Sequence, residues 1–154
     1  ERRCLGGSLI GSESGRKMVF KATDFALLES LDGTMRDIPM VTHETAGSDQ
    51  YSAGFFWLRP GVTGHADAHA GMEELYYIFE GKGQVVVDDV PHELEAGDVV
   101  LIPEGATHYL TNQHEQPLGL FWALPEKWSN LPDIVEELGR WKVVEHGSAF
   151  ERQG

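Results

Sequence analysis

The chain of 154 residues, 41% hydrophobic and 10% aromatic, has the size and composition of one folded domain and excludes a disordered protein. Its 25 acidic residues outnumber the 12 basic ones, and the resulting net charge of −13 repels nucleic-acid backbones. The single cysteine, Cys4, excludes an internal disulfide. No apolar run approaches the roughly 18 residues of a membrane-spanning helix, and no signal peptide is visible. We therefore expect a cytoplasmic protein that binds neither nucleic acid nor membrane.

The first part of the chain carries weak structural signals. Residues 1–16 are rich in glycine and serine and predict a flexible N-terminal segment, which leaves one domain at 17–154. Three weaker candidates follow: an edge strand at 18–20, a helix at 23–31 and a strand at 39–45 that contains His43.

From residue 52 onward, the pattern is one of short strands separated by turns. Gly81 and Gly83 predict a tight hairpin between two of these strands. The predicted strands lie at 52–58, 74–79, 84–88, 92–94, 99–102, 107–111 and 118–124. Turn signals at such short intervals are typical of an all-β sandwich or barrel.

The C-terminal part of the chain changes character. Ser129 or Asn130 can cap a helix, and Gly139 follows its last turn. The apolar side chains between them fall on one stripe. The pattern predicts a short helix at about 130–139, docked on the outside of the barrel.

The stretch 61–81 concentrates potential metal ligands. His65, Asp67 and His69 alternate along the chain, so that on a strand all three would point to one face. Glu74 follows five residues later. Because imidazole and carboxylate groups bind divalent transition metals, this stretch is a candidate cation site.

Two groups of residues follow a recurring spacing. In the stretch 97–112, the pattern glycine, five residues, Pro-x-Gly, two residues, histidine, three residues, asparagine is matched by Gly97, Pro103, Gly105, His108 and Asn112. In the stretch 61–81, a companion pattern is matched by Gly61, His69, Glu74 and Gly81, with Asp67 where the pattern has its first histidine. Together they resemble the two sequence motifs of the cupin superfamily, over about residues 52–124. The resemblance implies an all-β double-stranded β-helix, also called a jelly-roll barrel.

In that family the barrel holds a divalent metal, so the resemblance implies that His69, Glu74 and His108 are ligands. Asp67 is the departure and leaves three alternatives: Asp67 binds the metal, His65 replaces the missing imidazole, or the site binds no metal. Carboxylates close together in a barrel repel each other unless a cation or proton neutralises them. We therefore favour a metal site with Asp67 as fourth ligand and His65 facing the substrate. The candidate ions are Fe(II), Mn(II) and Zn(II).

Tyr76 lies two residues beyond Glu74 and should share its inward face. Its hydroxyl could orient a substrate or donate a proton, or it could belong to a core side chain with a local hydrogen bond. On the strand 52–58, either Phe55 and Trp57 or Phe56 and Leu58 face the interior, and both phases stay open.

The resemblance implies a metal-dependent enzyme that acts on a small polar or carboxylate-bearing molecule. Two histidines and one carboxylate suit non-haem Fe(II) oxygen chemistry, so a dioxygenase is the first hypothesis. A Mn- or Zn-dependent isomerase, lyase or hydrolase is one alternative, and a non-catalytic sugar-binding barrel is another. We also expect a homodimer, on the resemblance alone.

Overall fold

The computed structural model describes residues 18–125 and 139–146 and folds them into strands with a single 3₁₀ turn, Ala22–Asp24, and a single short helix, α1, His43–Ala46. The strands are β1 (Leu27–Ser30), β2 (Met35–Val41), β3 (Ser52–Leu58), β4 (Val62–Thr63), β5 (Glu74–Glu80), β6 (Lys82–Val87), β7 (Val90–Glu95), β8 (Val99–Ile102), β9 (His108–Asn112), β10 (Leu118–Leu124) and β11 (Trp141–Val144). The all-β prediction is confirmed.

The strands form two antiparallel sheets. One has the order β11-β1-β2-β3-β10-β5-β8, and the other has the order β4-β9-β6-β7. Their inner faces enclose an apolar core, whose most buried side chains are Leu58, Ile78, Val85, Ile102, Leu118, Leu120 and Leu124. Alternation along each strand sends one set of side chains into this core and the other set outward. The architecture is the double-stranded β-helix that the motifs predict.

The structure shows which side chains of β3 face the interior of the barrel. Phe56 and Leu58 face the core, whereas Phe55 and Trp57 pack with Phe79 on the outer face of the large sheet. These outer rings meet edge to face, an arrangement that aromatic rings favour. The outer face of the sheet is therefore apolar near its centre.

The predicted hairpin at Gly81 is wrong. Strand β5 pairs with β10 and β8, whereas β6 pairs with β7 and β9, so the chain changes sheets at Gly81. Gly81 has a φ of +78°, and a Cβ there would clash with the backbone oxygen of Pro117. Glycine is needed at this corner for both reasons.

The true hairpin lies one strand later. Asp88 and Asp89 have φ values of +46° and +66° and connect β6 to β7, which begins at Val90. Two left-handed residues in a two-residue loop match the right-handed twist of paired strands. Strand β7 is consequently longer than the 92–94 that its pattern predicts.

The N-terminal predictions need correction. Residues 18–20 form no strand, and 23–31 form the 3₁₀ turn and β1 rather than a helix. Leu27 and Leu28 are both buried, because β1 is covered on both faces and paired with β2 and β11. Tertiary contacts override the helix-like spacing here. The candidate strand 39–45 is the end of β2 followed by α1, which places His43 at the start of a helix.

Two predictions lie outside the described residues: the flexible segment 1–16 and, apart from Gly139, the helix at about 130–139. Strand β11, which the sequence pattern does not predict, pairs with β1 at one end of the large sheet. Within the described ranges, no helix is long and apolar enough to cross a membrane. The cytoplasmic location stays a prediction.

Candidate metal centre

Three parts of the chain converge at one end of the barrel interior. Glu74 is the first residue of β5, and His108 is the first residue of β9. His69 lies in the loop 64–73, which two backbone hydrogen bonds between Asp67 and His108 fasten to the start of β9. A further backbone bond, from Gly105 to the His69 oxygen, holds the other half of the loop. Both sequence motifs therefore meet at this place.

The three side chains bring their donor atoms together. Glu74 Oε2 lies 2.9 Å from His108 Nε2 and 3.3 Å from His69 Nε2. One ligand atom from each residue lies within 4.8 Å of the other two, and Glu74 and His108 are buried. Two imidazoles and one carboxylate in such a cluster are a donor set that binds Fe(II), Mn(II) or Zn(II). The residues present fit a divalent metal.

His108 is oriented for this role by its second ring nitrogen. Its Nδ1 lies 3.0 Å from the backbone oxygen of Ala106. Because a carbonyl oxygen can only accept, Nδ1 carries the hydrogen. Nε2 faces Glu74 and donates to it when the ring is charged, and in the neutral ring the same nitrogen offers a lone pair to a metal, which is how metal-binding histidines are commonly fixed.

The negative charge of Glu74 and the positive charge of the protonated histidines stabilise each other. Burial acts to raise the pKa of Glu74, but hydrogen bonds from His108 and His69 outweigh it, and the pKa is lowered. Burial acts to lower the pKa of His108, but its hydrogen bonds to Glu74 and Ala106 outweigh this effect, and the pKa is raised. Glu74 is thus ionised, as a metal ligand must be.

Asp67 and His65 do not share the face that they would share on a strand. Residues 65–69 lie in a loop, because β4 ends at Thr63 and only Asp67 makes an isolated bridge. Asp67 is exposed, with Oδ2 at 3.9 Å from His69 Nε2 and Oδ1 accepting a hydrogen bond from Ala68 N–H. His65 is exposed and lies outside the cluster of three. Of the two, Asp67 lies beside the cluster.

Tyr76 shares the inward face of β5 with Glu74, as its position predicts. Its side chain is buried, and its hydroxyl donates to Glu74 Oε2 over 3.1 Å. Burial, followed by the charge of Glu74 and that hydrogen bond, raises the pKa of Tyr76 well above its ordinary value. The hydroxyl therefore keeps its proton at neutral pH and stays a donor.

A second carboxyl group, which the sequence patterns do not identify, lies inside the barrel. Asp37 lies in the middle of β2, and Trp122 of β10 donates its indole N–H to Asp37 Oδ1 over 3.0 Å. Burial, opposed by the Trp122 hydrogen bond and reinforced by the Glu74 charge, raises the pKa of Asp37 to about 8. The signal was an acid at an inward position of a strand, but the predicted strand 39–45 began two residues too late to include it.

Comparison with known proteins agrees with this architecture. Residues 54–124 match the model of the Cupin_2 family, described as cupin domain. A predicted oxalate decarboxylase from Thermotoga maritima superposes with a TM-score of 0.61 at 20% identity, over 71% of this chain and 99% of that one. A Cupin 2 conserved barrel domain protein from Salinispora arenicola gives 0.53 at 20% identity, over 68% and 82%. At such identities, these two likenesses concern the fold alone.

A curated relative gives a closer likeness over a shorter stretch. Protein SchB from Streptomyces halstedii is 36% identical over 73 residues, which are 47% of this chain and 53% of SchB. The chain thus matches about half the length of that relative. The stretch that matches the family, the two motifs and the barrel all coincide with the part that carries His69, Glu74 and His108. This chain therefore carries a cupin domain at residues 54–124, and its described residues have the fold of a small cupin barrel.

Proposed function

We propose that this protein is a metal-dependent enzyme that acts on a small polar or carboxylate-bearing molecule, in the first place as a non-haem Fe(II) dioxygenase. The observation that carries the proposal is the convergence of His69, Glu74 and His108 in one cluster inside the barrel. Two imidazoles and one carboxylate leave coordination positions open for other molecules.

His69, Glu74 and His108 would hold a divalent ion, which would supply oxygen chemistry as Fe(II) or polarise a carbonyl or carboxylate as Mn(II) or Zn(II). The protein's own part is to hold the donors in place and to shield them from bulk water. Tyr76 contributes to that holding, since its hydroxyl donates to the Glu74 oxygen that faces both histidines. Asp67, beside His69, is the proposed fourth ligand, and His65 is proposed to contact substrate at the exposed rim.

A second candidate is a Mn- or Zn-dependent lyase, isomerase or hydrolase. It is favoured by two protonated oxygen acids in the barrel, the Tyr76 hydroxyl and the Asp37 carboxyl. Lewis-acid reactions of small carboxylates require a proton to be delivered or removed, and such groups can do this. The Thermotoga maritima protein with the similar fold is named a predicted oxalate decarboxylase, and decarboxylation is a lyase reaction.

Oxygen uptake separates the two candidates. Protein stripped of metal and reconstituted anaerobically with Fe(II) is given a panel of small 2-oxo and 2-hydroxy acids in an oxygen electrode. We expect substrate-dependent oxygen uptake by the wild type and none by His108→Ala. An exposed-histidine variant, His92→Ala, is the matched control and should keep wild-type uptake.

Turnover of one of these acids with Mn(II) or Zn(II), and without oxygen uptake, would replace the dioxygenase by the second candidate. Metal binding without any turnover across the panel would favour the non-catalytic binding barrel.

A further inference from the structure

We propose that Asp37 binds the substrate: its carboxyl, in the acid form, donates a hydrogen bond to a carboxylate oxygen of the small molecule held at the His69–Glu74–His108 cluster. This inference rests on the proposed function, because it requires a ligand at that cluster. It adds a residue outside both sequence motifs to the site.

The backbone of β2 directs Asp37 into the barrel. Its neighbours point outward: Arg36 pairs with Glu29 over 2.7 Å, and Ile38 packs in the outer apolar cluster with Leu27. Alternation along the strand therefore puts Asp37 on the inner face, opposite Phe56 of β3. Part of the residue stays accessible, although its carboxyl lies deep enough for burial to be the largest influence on its pKa.

A hydrogen bond from Trp122 holds the Asp37 carboxyl in place. Trp122 pairs across the strands with Gly54 on one side and with Tyr76 on the other. A Cβ on Gly54 would lie 2.8 Å from the indole, so only glycine leaves room for Trp122 to reach Asp37. The indole N–H binds Asp37 Oδ1, and the Ile38 backbone N–H also hydrogen-bonds to the carboxyl, so what the acid form can still offer a ligand is its own O–H.

The charged groups around Asp37 determine its protonation state. From β5, Glu74 is ionised and Tyr76 keeps its proton; from β9, His108 pairs with Glu74. On β2 itself, Arg36 is directed to Glu29 on the outer side. Burial is the largest cause of the raised pKa of Asp37, about 8, and the Glu74 charge adds to it. At pH 7 the group is a neutral carboxylic acid and can donate a hydrogen bond, a known use of a carboxyl group in an apolar site.

Stability does not explain an acid at this position. A carboxyl group that must take up a proton to fit the fold weakens the fold at neutral pH, and asparagine would accept the same Trp122 hydrogen bond without that loss. Residues that lower stability in a cavity commonly serve function. The two carboxyl groups in the barrel thus have separate tasks: Glu74 carries a charge and Asp37 carries a proton.

This division of tasks selects a class of ligand. A small carboxylate can place some oxygens at a cation held by the cluster and others at a neutral donor, whereas an ionised Asp37 would repel it. An amine ligand would need an acceptor from Asp37. In its acid form Asp37 offers only its carbonyl oxygen, and that oxygen already accepts from Trp122. Small acids therefore suit the site.

Oxalate binding to Mn(II)-loaded protein tests the proposal. Its Kd is measured by calorimetry from about pH 6.5 to about pH 9, a range that spans the titration of Asp37. We expect wild-type binding to weaken by about tenfold as Asp37 ionises, the loss of one hydrogen bond to a charged group. Asp37→Asn should lose this pH dependence, because an amide stays neutral throughout.

Two further variants sharpen the result. Glu73→Gln removes an exposed carboxylate next to Glu74 and should keep the wild-type pH dependence. Trp122→Phe removes the N–H that lowers the pKa of Asp37, so the loss of binding should move to higher pH.

Identical pH profiles for Asp37→Asn and the wild type would overturn the proposal, as would the lack of saturable oxalate binding to the metal-loaded wild type. If Mn(II) itself fails to bind the wild type, the proposed function fails and this inference falls with it. If Mn(II) binds but Asp37→Asn and the wild type show the same pH profile of oxalate binding, the proposed function stands without this inference.

Discussion

Glu74 shows how much a single residue determines in this site. Its Oε2 atom faces His69, His108 and Tyr76 at 2.9–3.3 Å, so three side chains from separate positions share one acceptor. Removing the carboxylate would leave two histidines and a tyrosine without their common partner. The spacing of Glu74 and His108 in the two motifs identifies both from the sequence, because the motifs describe residues at the starts of strands.

Asn112, the last residue of the second motif, lies at the end of β9. Its side-chain amide donates to the backbone oxygens of Leu58 and Gln116, and its Oδ1 accepts from His114 N–H. It fixes a strand end rather than taking part in chemistry. Asp37, in contrast, could not be recognised, because its importance comes from Trp122, a contact across 85 residues of sequence.

The Asp67 and His65 side chains offer a direct test of the ligand assignment. We expect Asp67→Ala to weaken Mn(II) affinity by about 10- to 100-fold, because its carboxylate lies beside His69. His65→Ala should bind the metal like the wild type, since His65 lies outside the cluster. Calorimetric titration of both variants measures this. A large loss for His65→Ala with none for Asp67→Ala would reverse the assignment.

The protonation of Asp37 predicts a specific pH dependence of stability. Its pKa is raised from 3.8 to about 8 in the folded state, so protonation stabilises the fold fully below about pH 4, and this contribution is lost as the pH rises toward 8. Asp37→Asn should therefore raise the free energy of unfolding at pH 7 by roughly 2–4 kcal/mol. Denaturant unfolding at several pH values measures the difference. If the difference in free energy of unfolding between Asp37→Asn and the wild type did not become smaller near pH 4, Asp37 would not be the titrating group.

At the scale of elements, the sequence is informative where strands are short and bounded by turns. Strands β3, β8 and β10 have the predicted limits, because an apolar run between glycine or proline residues leaves little choice of boundary. Pairing between strands is harder to predict, since local signals at Gly81 suit a hairpin as well as a corner between sheets. Strand β11 depends on β1 for its pairing and carries no local signal of its own.

The corner at Gly81 can be tested by substitution. Gly81→Ala combines a φ of +78° with a clash against Pro117, and we expect it to lower the free energy of unfolding by about 2 kcal/mol or more. Gly61→Ala has a similar φ of +74° with no atom within 4 Å of the new Cβ, and it should lose only about 1 kcal/mol. Chemical denaturation compares them. Equal losses would mean that close packing at the corner has no measurable effect.

At the scale of the whole molecule, one surface is unusually apolar. Leu75 and Tyr77 of β5 are 39% and 45% exposed, and their partners Leu101 and Val99 of β8 are 58% and 65% exposed. In the described part of the chain, β8 is the last strand of its sheet. Although β8 has only four residues, an exposed apolar edge of this kind invites pairing unless something covers it. Twofold pairing with a second copy would bury the same four side chains from both subunits.

We therefore propose a homodimer joined through this β5–β8 surface. The double substitution Val99→Lys/Leu101→Lys should convert the dimer to a monomer, because four lysines would meet at the twofold axis. Light scattering coupled to size-exclusion chromatography measures the mass. Val90→Lys, an exposed apolar residue of β7 in the other sheet, is the control and should stay dimeric. A monomeric wild type, or a dimeric double variant, would contradict the proposal.

Metal titration tests most directly whether His69, Glu74 and His108 hold a divalent cation. Metal-stripped protein is titrated anaerobically with Fe(II) and with Mn(II), and the stoichiometry is read by calorimetry. The structure predicts one ion for each wild-type chain and none for His108→Ala, while His92→Ala, which changes an exposed histidine, binds like the wild type. A wild-type protein that binds neither ion, or a His108→Ala variant that binds as well as the wild type, would show that these three residues are not a metal site.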